Sequence, residues 1–290
     1  MQAERWEQDK LGVKPLRTWD EAAAKWLEET SHKRTHAWDV SMLNWFRPHL
    51  AGKVLADINR ALLDQLRAQR AKHVTPGTCN RYMALVRAIL RRACFDWEWL
   101  DRVPKVSMLR DGASRLRSLS RDEFARLLGE LPEHLADMAT FSVATGLRQA
   151  NVKRLQWKQI SMDRRHLFVS ADQHKNGKAH AVPLNDAALA VLRKREADHR
   201  DYVFTYDGKP IEQVNTKAWR SALKRAGIED FRWHDLRHTF ATWHREAGTP
   251  THELQRLGGW KTLSMVERYA HVAPEGLQFA ASRLDRFLVS

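Results

Sequence analysis

The chain has 290 residues, of which 49 are Lys or Arg and 35 are Asp or Glu, so its formal net charge is +14. Hydrophobic residues make up 43% of the sequence, which is enough for a folded core and excludes a wholly disordered chain. No apolar run reaches the ~18 residues that span a bilayer, and the two cysteines, Cys79 and Cys94, are too few for a disulfide scaffold. The first residues form no apolar signal segment, so we expect a cytoplasmic protein with no membrane partner. The basic excess favours a polyanion as partner.

The first part of the chain has the apolar spacing of helices and contains no strand pattern. Its helical patterns occupy residues 20–29, 37–46, 59–72 and 78–96. Pro76-Gly77 is predicted to break the chain ahead of the last of these helices. Residues 103–118 interrupt the pattern with Pro104, Gly112 and four basic residues, which indicates a linker.

The second part is predicted to be mostly helical with one β insert. A helix begins after Ser120, because Glu123 completes a capping-box pattern. Residues 166–171 and 179–183 are predicted strands, joined at Asn176-Gly177 by a tight turn. Further helices are predicted at residues 185–198, 212–226, 234–247, 250–258, 262–271 and 276–287, with Thr249 and Pro250 as the N-cap and first residue of the fourth. The fold class is therefore mainly α, with a small antiparallel β-sheet in the second domain.

A cluster of basic side chains occupies one face of the helix that starts near residue 234. His234, Arg237 and His238 stand at i, i+3 and i+4, so they share that face. Flanking aromatic residues indicate that the helix is largely buried, and a buried basic cluster is costly unless an anion neutralises it. A metal site is not favoured, because Asp235 stands where an H-E-x-x-H site needs Glu and no third ligand is evident.

Three other residues are unremarkable when taken one at a time. Arg148 follows Thr145-Gly146 and opens a helix, where free backbone N–H groups favour an anion. Lys175 stands at the predicted hairpin turn, where most lysines are solvated. Tyr269 lies near a helix end, where a tyrosine usually packs against the core.

Taken together and in order, these segments resemble the tyrosine recombinase (phage-type integrase) family. The matching stretches are ATGLRQANVKRLQW (144–157), HKNGKAHAVPL (174–184), WHDLRHTFAT (233–242) and LGGWKTLSMVERYAHV (257–272). The family pattern is Arg, Lys, His-x-x-Arg, His or Trp, then Tyr, and the nine-residue interval between Trp260 and Tyr269 matches it. The resemblance covers residues 116–290 by motif, whereas the first part matches in general form only.

The resemblance implies a role for each matched residue. Tyr269 is the implied nucleophile, and Arg148 and Arg237 hold the scissile phosphate. Lys175 is the implied general acid, with His234 assisting proton transfer and Trp260 donating its indole N–H. The resemblance also implies strand cleavage and rejoining through a 3′-phosphotyrosine, without ATP, metal or other cofactor.

The resemblance divides the chain into a helical, SAM-like core-binding domain (1–112) and a catalytic domain (116–290) that grip one duplex. The side chains that we assign to DNA contact are Lys33, Arg34, Arg81, Arg87, Arg91 and Lys178. The implied partners are a double-stranded attachment site, three further copies in a homo-tetramer on DNA, and accessory DNA-bending proteins. The protein is expected to be nucleoid-associated and to integrate or excise a mobile element such as a prophage.

The sequence departs from the family pattern at two positions. Asn151 stands where an acidic residue often supports the first arginine, so the charge support for Arg148 is weaker. Trp260 replaces the more frequent histidine and cannot transfer a proton, which leaves acid–base work to Lys175 and His234. Two alternatives stay open, a non-catalytic DNA-binding regulator and a type IB topoisomerase-like enzyme. The complete residue set argues against the first, and the compact length argues against the second.

Overall fold

The computed structural model describes residues 16–110, 112, 115–169, 180–269, 281, 282 and 285. The backbone packs into two compact units, residues 1–114 and 115–290. None of the helices in these described segments combines the length and apolarity that crossing a bilayer requires. Assigning DNA binding to the first unit and catalysis to the second remains a prediction.

The secondary-structure elements described in the first unit are helices. Its helices are α1 (Trp19–Glu29), α2 (His36–Leu50), α3 (Arg60–Ala71) and α4 (Pro76–Phe95), with a short 3-10 turn at Leu55–Asp57. Its core is built on large side chains from three of these helices, Trp19, Phe46, Met83 and Ile89.

The expected break at Pro76-Gly77 is wrong, because Pro76 is the first residue of α4. The Thr75 side chain accepts a hydrogen bond from the Thr78 backbone N–H and caps the helix there. Proline is tolerated at this position because its missing N–H would have no partner within the first turn.

The second unit combines helices with two small antiparallel sheets. Its described elements are α5 (Arg121–Glu130), α6 (Glu133–Thr145), α7 (Gln149–Lys153), β1 (Ile160–Ser161), β2 (His166–Val169), β3 (His180–Pro183), α8 (Asp186–Arg195), β4 (Thr205–Tyr206), β5 (Lys209–Pro210), α9 (Lys217–Arg225), α10 (Asp235–Glu246), α11 (Thr251–Gly258) and α12 (Ser264–Glu267). The predicted capping box is confirmed, since the Ser120 side chain accepts from the Glu123 N–H and the Glu123 carboxylate accepts from the Ser120 N–H. The mainly helical fold class with a small antiparallel sheet is likewise confirmed.

The main sheet has the strand order β1-β2-β3. Leu167 and Val169 of β2 are buried while Phe168 between them is exposed, as expected of a strand with one face on a core. Val169 pairs with His180, so β2 and β3 are the two strands that the sequence predicts. The Asn176-Gly177 turn proposed between them lies outside the described residues, and β1, with two residues, is too short to have been predicted.

Several predicted boundaries need correction. The second hairpin, β4–β5, was missed although Asp207-Gly208 at its turn has the positive φ values (51° and 68°) that such turns favour. The helix predicted from residue 212 begins at Lys217, because the Thr216 side chain caps it. α11 begins at Thr251 with Pro250 as its N-cap. The helix predicted over 262–271 is α12, which ends before Tyr269, and most of the one predicted over 276–287 lies outside the described residues.

Candidate active site

Arg237 is the side chain around which the candidate site is assembled. It lies in the first turns of α10, is only 5% exposed, and bridges two distant backbone segments. Its Nη1 donates to the Gly146 carbonyl at 2.5 Å and its Nη2 donates to the Gly258 carbonyl at 2.6 Å. Its guanidinium carbon stands 4.1 Å from the centroid of the Trp260 ring. Desolvation, and then the charge of Arg148, lower the pKa of Arg237 to about 9, so the cation persists at neutral pH in a site that favours an added anion.

Two glycines allow the backbone to approach Arg237 this closely. Gly146 ends α6 with φ +62°, and a Cβ atom there would lie 2.4 Å from the Phe240 ring. A Cβ atom on Gly258 would lie 1.8 Å from the Trp260 ring. Both glycines are therefore required by close packing beside the two carbonyl oxygens that hold the guanidinium group.

Tyr269 lies on the same cluster, two residues beyond the end of α12. Its side chain is 2% exposed and packs with Phe240, Leu254, Trp260 and Val266 in a small apolar core. Its hydroxyl lies 2.5 Å from Nδ1 of His238. Burial raises the pKa of Tyr269, and the charges of Arg268 and Arg237 oppose this rise only in part. The phenol is therefore protonated at neutral pH.

His234 and His238, at the start of α10, have different surroundings. His234 is exposed at the N-cap of the helix, whereas His238 is half-buried against Tyr269. Their ring centroids lie 5.5 Å apart with the planes nearly perpendicular. Desolvation lowers the pKa of both, that of His238 to about 4, so both rings are neutral at pH 7.

Arg148 and His180 complete the basic side of the site. Arg148 is the N-cap of α7 and is half-buried, and desolvation lowers its pKa. His180 opens β3, and its Nε2 lies 3.2 Å from the Leu257 carbonyl oxygen. Burial lowers the pKa of His180, and the charges of Arg237 and Arg148 act in the same direction. The positive charges of both arginines therefore act on His180, and that of Arg148 acts on Arg237.

A linker arginine fixes the start of α10. Arg115 Nη2 donates to the buried Asp235 carboxylate at 2.5 Å, and the same guanidinium binds the side chain and backbone carbonyl of Asp230. The backbone N–H of Arg232 also donates to Asp235, at 2.8 Å. The orientation of the turn that presents His234 is therefore set by a residue outside the catalytic motifs.

Comparison with known proteins places this geometry in a family. The profile of the "Phage integrase family" matches residues 117–275. The integrase of Salmonella phage P22 is 35% identical, in an alignment that covers 98% of this chain and 84% of that protein. The chain belongs to the phage integrase family.

More distant relatives agree with this assignment. The shufflon-specific DNA recombinase of Escherichia coli is 29% identical over 72% of this chain, and the chain spans 55% of that protein. The fold matches a lambda integrase dimer bound to a COC′ core site, with TM-score 0.73, 19% identity, and coverage of 91% of this chain and 80% of that one. It also matches the Tn1549 transposon integrase in complex with transposon right end DNA, with TM-score 0.78, 16% identity and coverage of 92% and 99%. The chain is a site-specific recombinase of the tyrosine type.

The described part of the chain brings most of the motif residues of this family member together. Arg237, Trp260 and Tyr269 share one buried cluster. The charge of Arg148 lowers the pKa of Arg237, and His234 stands at the start of α10, the helix that carries Arg237. Lys175 and Lys178 lie outside the described residues. Within those residues, no three His, Cys, Asp or Glu side chains are grouped so as to hold a metal ion.

Sequence reasoning gave no role to three residues that the structure places in or beside the site. His238 was recognised only as a member of the basic face, although it contacts the tyrosine hydroxyl. His180 lies within a matching stretch, but strand alternation alone does not indicate that its ring reaches α11. Arg115 had no signal beyond its place in a basic linker.

In the first unit, we assigned five basic side chains to DNA contact, and three of them lie on one face of α4. Arg81, Arg87 and Arg91 are exposed on one face of α4, and Arg87 and Arg91 line a groove with Trp26. Arg34 is exposed, whereas Lys33 lies over the Trp26 ring at 4.0 Å. The structure therefore presents a basic surface with aromatic side chains on this unit.

Proposed function

We propose that this chain cuts and rejoins DNA at a specific site through a covalent 3′-phosphotyrosine at Tyr269. The observation that carries the proposal is the convergence of Arg237, Trp260 and Tyr269 in one buried cluster, although they come from three separate segments. A buried arginine whose described contacts are carbonyl oxygens and an aromatic face keeps its positive charge available to an anionic ligand.

The two arginines bind the scissile phosphate. A phosphodiester gains negative charge on its non-bridging oxygens during attack, and guanidinium groups meet such oxygens through paired N–H donors. Arg237 is preorganised by Gly146 and Gly258, so it needs no rearrangement when that charge develops. Each oriented donor of this kind contributes about 3–4 kcal/mol to the transition state. Trp260 adds its indole N–H as a donor to the same phosphate.

Proton transfers complete the reaction. Lys175 protonates the departing 5′-oxygen, and His234, exposed beside the arginines, assists. The phosphotyrosine conserves the phosphodiester bond energy, so the 5′-hydroxyl of a second strand reverses the step without ATP or a metal ion. Exchange of one pair of strands after another needs four active sites, which is why we propose a homo-tetramer on the attachment site, with accessory DNA-bending proteins.

The first unit holds the duplex from one side through the basic face of α4. Arg81, Arg87 and Arg91 point to solvent there, and Lys33 and Arg34 of the same unit add further positive charge. We propose Lys178, which belongs to the second unit, as a further DNA contact. Contacts of this kind position the protein on phosphates without reading sequence. Most of the affinity is therefore expected to be electrostatic and to fall steeply with salt.

A nicked suicide duplex built from DNA that flanks the gene tests the proposal. Because the nick releases the cleaved 5′ end, a phosphotyrosine adduct accumulates and migrates as a covalent band on a denaturing gel. We expect the band with the wild-type chain and none with Tyr269→Phe. A band that persists in Tyr269→Phe would assign the nucleophile to another tyrosine. A native-gel shift without any covalent band would favour the non-catalytic regulator.

A further inference from the structure

The contact of the Tyr269 hydroxyl with His238 has no counterpart among the roles assigned above. Nδ1 of His238 lies 2.5 Å from the hydroxyl oxygen. His234, to which the family resemblance assigns proton transfer, is exposed, and its ring centroid lies 5.5 Å from that of His238. The histidine in hydrogen-bond contact with the nucleophile is thus one helical turn further along α10.

We propose that His238 is the catalytic base that takes the phenol proton from Tyr269 during DNA cleavage and returns it during rejoining. The inference rests on the proposed function, since it assigns the proton of the nucleophile in that reaction. It changes the role of His234, which is left to act on the phosphate side of the site.

The geometry supports this assignment, because Tyr269 is buried and its hydroxyl is in hydrogen-bond contact with His238. Tyr269 is 2% exposed, so the proton has to leave through a protein neighbour. A neutral imidazole with its proton on Nε2 has a free lone pair on Nδ1, which is the nitrogen that faces the phenol. The two atoms are already in hydrogen-bond contact, so the transfer needs no rearrangement of α10.

The charges around His238 make its basicity depend on DNA. Desolvation and the neighbouring His234, Arg268 and Arg237 favour the neutral ring, while Asp235 favours the charged one. A bound phosphodiester adds negative charge beside the two arginines, and the phosphorane adds more. Proton affinity at His238 therefore rises as the phosphate is attacked, whereas without DNA the phenol remains protonated and the nucleophile unreactive.

The step balances as a single displacement. The Tyr269 oxygen forms its bond to phosphorus with the electron pair of its O–H bond, and that proton passes to Nδ1 of His238. The bond from phosphorus to the 5′-oxygen breaks, and the 5′-oxygen takes a proton from the general acid, which we propose to be Lys175. Rejoining reverses each transfer, so the imidazolium protonates the departing tyrosine.

The chain offers a matched control on the same helix. His244 is also half-buried, its Nδ1 contacts a hydroxyl, that of Thr249, at 2.9 Å, and desolvation lowers its pKa. It therefore shares the burial and bonding of His238 without contact to the nucleophile. His244→Gln reports the effect of replacing such a histidine on the fold alone.

The first experiment measures adduct formation on the suicide duplex in a single turnover. We expect His238→Gln to lower the rate at least about 100-fold with unchanged DNA affinity, and His244→Gln to remain within about threefold of wild type. A duplex with sulfur in place of the bridging 5′-oxygen separates base from acid, because a thiolate leaves without a proton. The sulfur duplex should restore the rate of adduct formation in Lys175→Ala and leave the rate in His238→Gln low. A wild-type rate in His238→Gln, or its restoration by the sulfur duplex, would overturn the inference.

A second measurement covers the case in which His238→Gln perturbs packing. Fluorinated tyrosine placed at position 269 lowers the pKa of the phenol and so reduces its need for a base. We expect fluorotyrosine to reduce the difference in the rate of adduct formation between His238→Gln and the wild-type chain, which a packing defect would not do. An unchanged difference in rate would refute the role of His238 as the base. The proposed function fails separately, if the wild-type adduct does not form or survives Tyr269→Phe.

Discussion

Replacement of Gly258 by alanine is the sharpest test of the way the site is built. The new methyl would lie 1.8 Å from Cζ3 of Trp260 and 2.3 Å from Cε3, whereas carbon atoms pack at about 3.5 Å. The indole must therefore move by about 1.7 Å, or the backbone of α11 must shift. Overpacking of this kind costs about 1–3 kcal/mol of unfolding free energy.

The same movement disturbs the chemistry. The Trp260 ring lies under the Arg237 guanidinium group, and the Gly258 carbonyl is one of the acceptors of that group. We expect Gly258→Ala to slow adduct formation about 100-fold, in line with the loss of one oriented donor.

Gly129 provides the matched control for this change. It lies inside α5, is exposed, and has nothing within 4 Å of the position of an added Cβ. Gly129→Ala should therefore stabilise the protein by about 0.5–1 kcal/mol, because alanine is the better helix former. Urea unfolding of the two variants should give changes of opposite sign. A Gly258→Ala protein as stable and as active as wild type would refute the packing argument.

Three further predictions concern other parts of the molecule. Arg115→Ala should lower the free energy of unfolding in urea by about 1–3 kcal/mol, because it removes a partner from the buried Asp235 carboxylate. Arg121→Ala removes a partner from an exposed ion pair and should change the free energy of unfolding by less than about 1 kcal/mol. Equal effects of the two substitutions would contradict this. The double variant Arg87→Ala/Arg91→Ala should reduce the slope of log affinity against log salt for duplex DNA by about 1.8, and an unchanged slope would remove this face from the DNA contact. Burial lowers the pKa of His238 in the folded protein to about 4, whereas in the unfolded chain it is about 6.5. As the pH drops through this interval, His238 takes up a proton in the unfolded chain and not in the folded one, so the free energy of unfolding should fall. His238→Gln should flatten that fall, as urea midpoints across the pH range would record.

Much of the helical architecture could be predicted from the sequence because its causes are local. The capping box at Ser120 and Glu123 acts within one turn, and the apolar stripe of α4 recurs along its whole length. β1, β4 and β5 were missed because two-residue strands carry no periodicity, even where Asp207-Gly208 marks the turn between two of them.

The order of the motif residues could also be predicted from the sequence, since each stands at a characteristic place in its segment. Which of them contact one another in space could be predicted only in part. The i, i+3 and i+4 spacing places His234, Arg237 and His238 on one face of α10. It does not indicate which histidine meets Tyr269.

By itself the sequence determined much of the helical architecture, the order of the segments and the residue types that suit phosphate chemistry, because propensity, capping and spacing act along the chain. Only the tertiary structure decided that His238 contacts Tyr269 and that Arg237 is held by two carbonyl oxygens. The position of Tyr269 depends on how the turn after α12 packs against His238 of α10. That packing is set by the close approach of Trp260 to Gly258 and by Val266 in the small core, and these contacts join segments with no local preference for one another.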